Sequence, residues 1–218
     1  MVAVRTSPSG ANWIKPPGPV APGLRIGLLG GSFNPAHEGH LHISLVAMKR
    51  LGLDYVWWLV APQNPLKPIS DMAALSERVL GAREIARGQP RICVTDIEAA
   101  LGTRYTVDTI GRLKRHFPQL RFVWLMGSDN LETFHRWRNW ETLARRIPIA
   151  VVMRPGTTLA PLSARAAQFF AARRVRMARQ LAETTPPALV ILDARRNPAS
   201  ATEIRARGLG RRDCGMVE

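Results

Sequence analysis

Residues 27–50 read GLLGGSFNPAHEGHLHISLVAMKR and follow the apolar triplet LRI at 24–26. An apolar run of strand length gives way to glycines, a proline and then an amphipathic stretch, the pattern of a strand, a tight junction and a helix. Neither common phosphate-loop pattern fits. No Lys follows a glycine as Walker A requires, and Gly27, Gly30 and Gly31 lack the G-x-G-x-x-G spacing. Gly30 and Gly31 are expected to let the backbone turn closely under a ligand, and Pro35 to sit in the first helical turn. His37 and His40, three apart, are expected on one face of the helix, with Leu41, Leu45 and Met48 as its apolar stripe. Imidazoles at a helix N-terminus stand where exposed N–H groups favour anions, so a phosphate is the natural guest. A zinc pair would need a third ligand that this spacing does not supply locally. Two structural histidines are the other reading, and His42, off to the side of the face, is read as structural.

Working outward, strand-length apolar runs occur at 24–29, 55–60 (YVWWLV), 91–96, 121–126, 147–153 and 188–192. Helix candidates begin near His37, Asp71, Thr106, Asp129, Pro161 and Ser200. Strands apolar on both faces and separated by helices indicate a parallel sheet covered on both sides, so the fold class is α/β, a doubly wound parallel sheet. Ligands of such sheets bind beyond the carboxyl ends of the strands. The junctions GGSFNPAHEGH, APQNPLKP, GSDNLETFHRW and DARRNPASATEIR are therefore the segments that carry chemistry.

Of the 218 residues, 31 are Lys or Arg and 16 Asp or Glu, a formal net charge of +15. That excess attracts anionic partners without choosing among nucleotides, nucleic acid or plain solubility. Two cysteines, Cys93 and Cys214, have neither disulfide nor zinc spacing, which fits a cytoplasmic setting. No apolar run approaches the roughly 20 residues of a membrane span. Residues 1–23, rich in Pro, Gly and Ser, read as a flexible extension, 24–207 as the folded domain and 208–218 as a polar tail.

The stretch GGSFNPAHEGH resembles the G-G-x-F-x-P-x-H-x-G-H signature of nucleotidylyltransferases, and TRYTVDT, GSDNLETFHRW and SATEIR resemble motifs of the bacterial nicotinate-nucleotide adenylyltransferases. The likeness runs over about 24–207. It implies a Rossmann-like nucleotidylyltransferase fold and adenylyl transfer from ATP to nicotinate mononucleotide. His37 and His40 are then catalytic. Gly30, Gly31, Ser32, Phe33, His40, Lys67, Asp129, Ser200, Thr202 and Arg205 bind ATP, and Tyr105, Thr106 and Trp137 bind the pyridine nucleotide. Mg²⁺ enters with ATP, and no dedicated protein metal site is implied.

Several of these residues also have plainer readings. Lys67 could be a solvated loop lysine, and Thr106 and Asp108 could simply cap a helix. Phe134, Trp137 and Trp140 recur at the three-residue spacing of helix packing; Trp140 is expected in the core and Trp137 against the ligand. The chain departs from the I-S-S-T-x-I-R motif at Ala199 and Ala201, and its polar ending leaves two expectations open: weaker packing around the ATP loop, or cover from a second copy of the chain in a homo-oligomer. A rival from another class is a basic nucleic-acid-binding module, with a basic stripe on one helix around residues 173–179. No zinc-finger spacing or RNP-like motif supports it, so no specific nucleic acid is expected. A non-catalytic descendant of the enzyme fold is a further alternative.

Overall fold

The computed structural model describes residues 14–62, 72–153 and 165–193. Six strands, β1 (Arg25–Gly31), β2 (Tyr55–Val60), β3 (Ile92–Thr95), β4 (Arg121–Gly127), β5 (Ile149–Val152) and β6 (Leu189–Leu192), form one sheet in the order β3-β2-β1-β4-β5-β6. Every pairing is parallel. Five of the six β2 residues are buried, as are all four of β5, which is why these runs carry no polar alternation. Side chains still alternate in direction. Trp57 and Leu59 join Ile26, Leu28, Trp124 and Met126 in one apolar layer, whereas Val56, Trp58 and Val60 join Leu29, Val123 and Leu125 in the other.

Helix α1 (Glu38–Leu51) and α2 (Leu75–Ile85) contribute to the second layer; α3 (Ile97–Leu101), α4 (Thr106–His116), α5 (Ser128–Thr133), α6 (Trp140–Arg146) and α7 (Arg165–Phe169) contribute to the first. The chain lays β2 and then β3 on one side of β1 before returning to place β4 on the other. The carboxyl ends of β1 and β4 thus flank the point where strand order reverses, the ligand crevice of such sheets. Gly31 and Gly127 end those two strands.

Several expectations are corrected. Residues 14–23 do not stand off as an extension: Ile14 and Val20 pack against the first layer, Gln119 Nε2 donates to the Val20 carbonyl at 3.0 Å, and the Gly23 amide donates to the Gln119 carbonyl at 3.0 Å. The segment behaves this way because its few apolar residues find the open face of Trp57 and Cys93, where a Cβ on Gly18 would lie 2.7 Å from Cys93 Sγ. Residues 173–179 are not one helix. A 3₁₀ turn ends at Arg173, Arg174 makes a bridge with Leu189, and another 3₁₀ turn begins at Ala178. Helix α3, unexpected, follows β3 directly, and α2 begins at Leu75. The helix starts expected at Asp71, Pro161 and Ser200 lie outside the described residues, as does the tail 208–218. No helix among the described residues is long and apolar enough to cross a membrane.

Neither Gly30 nor Gly31 makes a turn. Both belong to β1 and neither has a positive φ; the left-handed residue is Phe33, at φ 47°. Gly30 lacks a side chain because Trp124 occupies that space: a Cβ there would fall 2.4 Å from the indole. At Gly31 the nearest atom, on Phe33, is 3.5 Å away. Gly30→Ala should therefore cost about 1–3 kcal/mol by overpacking, while Gly31→Ala stays within about 0.5 kcal/mol, as denaturant unfolding would measure. Equal stability of the two variants would refute the Trp124 contact as the constraint.

Candidate active site

Helix α1 begins one residue later than expected, at Glu38, and His37 is its N-cap. His37 has extended backbone angles, and its Nδ1 accepts from the Gly39 amide at 3.0 Å. His40 Nδ1 accepts in turn from the His37 amide at 3.2 Å, completing a reciprocal capping box made of two imidazoles. Each Nδ1 receives a backbone N–H, so each neutral ring carries its own proton on Nε2. The rings lie 3.9 Å apart, centroid to centroid. Pro35 precedes the cap instead of opening the helix, and the Asn34–Pro35 peptide is cis. At the far end, Gly52 closes α1 in the left-handed conformation.

His37 is buried and His40 partly exposed. Phe33 is buried beneath them, its ring 4.5 Å from that of His40 and stacked on Trp58 at 5.2 Å. Trp58 Nε1 donates to Ser44 Oγ at 2.8 Å, and Ser44 Oγ donates to the His40 carbonyl at 2.9 Å. A tryptophan on β2 thereby fixes the first turn of α1. Since the Phe33 side chain serves as this shelf, only its backbone is left to meet a ligand.

Arg78, in α2, was not legible as a site residue. It is only 4% exposed, and its guanidinium donates to four carbonyls: Ser32 at 2.7 Å, Ala61 at 2.8 Å, Ala73 at 2.9 Å and Pro62 at 3.0 Å. Burial pushes its pKa down from the ordinary value, yet an arginine stays charged in such a setting. One side chain therefore ties the β1–α1 junction to the end of β2. A signal existed in the sequence: Arg78 lies on the stripe of Leu75, Val79 and Ala82, where a hydrophobe is the normal occupant.

The opposite wall comes from α4 and from the segment after β4. Tyr105 is the N-cap of α4 and gives no side-chain cap; Thr106 is the first helical residue and Asp108 lies exposed in the first turn. The capping roles considered for Thr106 and Asp108 are thus absent. The Arg138 guanidinium lies over the Tyr105 ring at 4.4 Å, which brings this loop beside Trp137. The helix expected from Asp129 onward is broken. α5 ends at Thr133, a 3₁₀ turn covers Phe134–Arg136, and Asn139 at φ 50° resets the chain before Trp140 begins α6. Trp140 is buried, as expected. Trp137 is half-buried, edge-on to Phe134 at 5.3 Å and to Trp124 at 6.1 Å. Asp129 is exposed in the first turn of α5, just past Gly127. Lys67, Ser200, Thr202 and Arg205 lie outside the described residues.

Behind the Tyr105 loop sits a buried polar cluster. Thr109 Oγ1 donates to Glu98 Oε1 at 2.9 Å and lies 2.9 Å from Thr103 Oγ1. Burial pushes the Glu98 carboxyl up to about 7, opposed by the Thr109 bond.

With this geometry in place, the relatives are informative. The cytidylyltransferase-like family model matches residues 28–207. A Parvibaculum lavamentivorans protein named "Probable nicotinate-nucleotide adenylyltransferase" is 53% identical over 193 residues, spanning 87% of this chain and 94% of the relative. The chain belongs to the nicotinate-nucleotide adenylyltransferase family. Another protein of the same name, from Methylorubrum extorquens strain PA1, is 52% identical over 186 residues, covering 84% of this chain and all of its own length. The family's fold extends to a Plasmodium falciparum nicotinic acid mononucleotide adenylyltransferase complexed with NaAD, which superposes with a TM-score of 0.63 at 16% identity over 84% of this chain and 83% of its own. The doubly wound nucleotidylyltransferase fold is common to both.

Two measurements test the buried groups. Arg78→Lys offers one ammonium for carbonyls spread over three segments, so it should lose at least about 2 kcal/mol of stability and raise KM for nucleotide; unchanged values of both would show the clamp to be dispensable. Glu98 binds its proton more tightly folded than unfolded, so its contribution falls as pH rises from about 4.5 to about 7. Glu98→Gln should remove that slope and exceed wild type above pH 7 by on the order of 3 kcal/mol, read from denaturation curves across pH.

Proposed function

We propose that this protein transfers the adenylyl group of ATP to nicotinate mononucleotide, giving nicotinate adenine dinucleotide and pyrophosphate. The observation that carries the reading is the imidazole capping box at the switch point of the sheet, in a chain whose relatives bear that enzyme name. An oxygen of the mononucleotide phosphate attacks the α-phosphorus in line. The new O–P bond forms as the bond to the bridging oxygen breaks, and pyrophosphate takes the electron pair. The acceptor supplies its own nucleophile, so the protein's part is positioning and stabilisation of charge.

His37 and His40 serve this through their Nε2–H groups, which donate to phosphoryl oxygens as charge grows there. Because each Nδ1 is held by an amide, the donors come preset and need no reorganisation. Gly31 leaves the crevice floor open, and Ser32 and Phe33 present backbone beside it. Asp129 is suited to ribose hydroxyls. Lys67, Ser200, Thr202 and Arg205 are assigned to the ATP phosphates on their sequence motifs. Trp137 offers a plate for the pyridine ring, its orientation held by Phe134 and Trp124. Thr106 opens α4, whose N-terminal amides suit the nicotinate carboxylate.

Mg²⁺ would enter as part of the ATP complex and would neutralise phosphate charge there. Its hard-cation chemistry would be met by phosphate oxygens and water. The reading also takes the protein to work in the cytoplasm, with self-association as the route to covering the ATP loop.

Pyrophosphate release with MgATP and nicotinate mononucleotide, nicotinamide mononucleotide or phosphopantetheine in turn tests the proposal. A strong preference for nicotinate mononucleotide, with the dinucleotide confirmed by mass, is expected. His40→Ala should lower kcat by roughly 10²-fold or more while costing only about 1 kcal/mol of stability from the lost cap. Near wild-type turnover in that variant, or preference for another acceptor, would overturn the assignment.

A further inference from the structure

Adjoining the crevice wall at Tyr105, the exposed face of α4 carries a concavity of about 710 Å³ lined by Arg104, Arg112, Lys114, Arg115 and Arg146, with one carboxylate, Asp108. Five cations less one carboxylate leave a formal +4. Three of these head groups are held in place. Arg112 Nη1 donates to the Leu101 carbonyl, Lys114 Nζ to the Arg146 carbonyl at 2.8 Å, and Arg146 Nη1 to the Val107 carbonyl at 3.0 Å. Carbonyls orient a cation without cancelling its charge. Among the described residues, the ion pairs engage Arg25, Arg87, Arg121 and Arg145, and none of the five basin cations. Gly111 contributes by its bareness, since a Cβ there would lie 3.1 Å from Arg146 Nη1.

We propose that this basin is a binding site for a free oligophosphate, of the pyrophosphate to nucleoside triphosphate class. Oriented guanidinium groups match the oxygens of a phosphate bidentately, and the volume is that of a small-molecule site. A compact anion bearing three to four negative charges matches the excess charge inside one concavity, whereas a duplex would need the charge laid out along an open groove. The basin meets the pyridine-nucleotide wall at Tyr105 but includes neither Trp137 nor the α1 imidazoles. Occupancy would stiffen residues 102–105, the approach to that wall. The inference does not depend on which acceptor the enzyme uses.

Calorimetric titration of the full-length protein with inorganic tripolyphosphate at low salt tests it, comparing wild type with Lys114→Glu/Arg115→Glu. The double variant brings the basin's formal charge to zero and touches no residue placed in the crevice. It should bind one equivalent fewer than wild type, and that difference reads the basin whether or not the crevice takes an equivalent of its own. Lys114→Gln/Arg115→Gln, without charge reversal, should weaken the same equivalent at least tenfold with the melting temperature unchanged. Turnover at saturating substrate should stay within twofold of wild type in both. Identical binding by wild type and both variants would overturn the proposal. So would displacement of tripolyphosphate from this equivalent by a short DNA duplex at lower concentration, which would make the surface one for nucleic acid.

Discussion

The first amides of a helix have no partners within it, and something must accept from them. In α1 that duty falls to two imidazoles, His37 and His40, each taking a backbone N–H on Nδ1. The same bonds that let the helix begin decide where each ring keeps its proton. Structure and chemistry are therefore joined at one point: a residue that merely capped well, such as Asp, would preserve the helix and carry no second ring nitrogen to donate. The aromatic shelf of Phe33 and Trp58, and the relay from Trp58 through Ser44 to the His40 carbonyl, hold the rings from below. The left-handed backbone at Phe33 is the local cost of putting that ring under the histidines.

Two further buried polar groups brace the loops on either side of the crevice. Arg78 converts four loop carbonyls into a single rigid corner, so the junction after β1 and the end of β2 move as one body. Glu98 and the threonines at 103 and 109 do the equivalent behind Tyr105. A loop lacking regular hydrogen bonding still has to satisfy its carbonyls and amides. Here side chains from neighbouring helices supply the partners.

Much of this was readable in the chain. YVWWLV coincides with β2 because a strand buried on both faces has no polar position to blur its ends. The histidine pair and Trp137 stood out by motif, and the family that those motifs suggested is the one the relatives show. Local backbone choices were harder to foresee. Gly30 looked like a turn glycine, yet its constraint is a tryptophan arriving from β4, a contact no local pattern encodes. The three-residue spacing of Phe134, Trp137 and Trp140 suggested one helix, whereas the chain leaves it at Thr133, is extended at Trp137 and restarts through a left-handed Asn139, a conformation that asparagine tolerates but does not announce. Arg78 and Glu98 were hidden because their partners are backbone carbonyls or distant hydroxyls. Their only trace is a charge placed on an apolar stripe.

The order of strands also bears on how the chain is made. β1 lies at the centre of the sheet, hydrogen-bonded to β2 on one side and to β4 on the other. During synthesis β2 and β3 emerge soon after it, but β4 begins only at Arg121. At ribosomal speeds the nascent chain spends on the order of ten seconds with one flank of its central strand open. Such an edge is a template for pairing with another chain. The span of synthesis from the end of β1 to the start of β4 is therefore when this chain is most open to pairing with another.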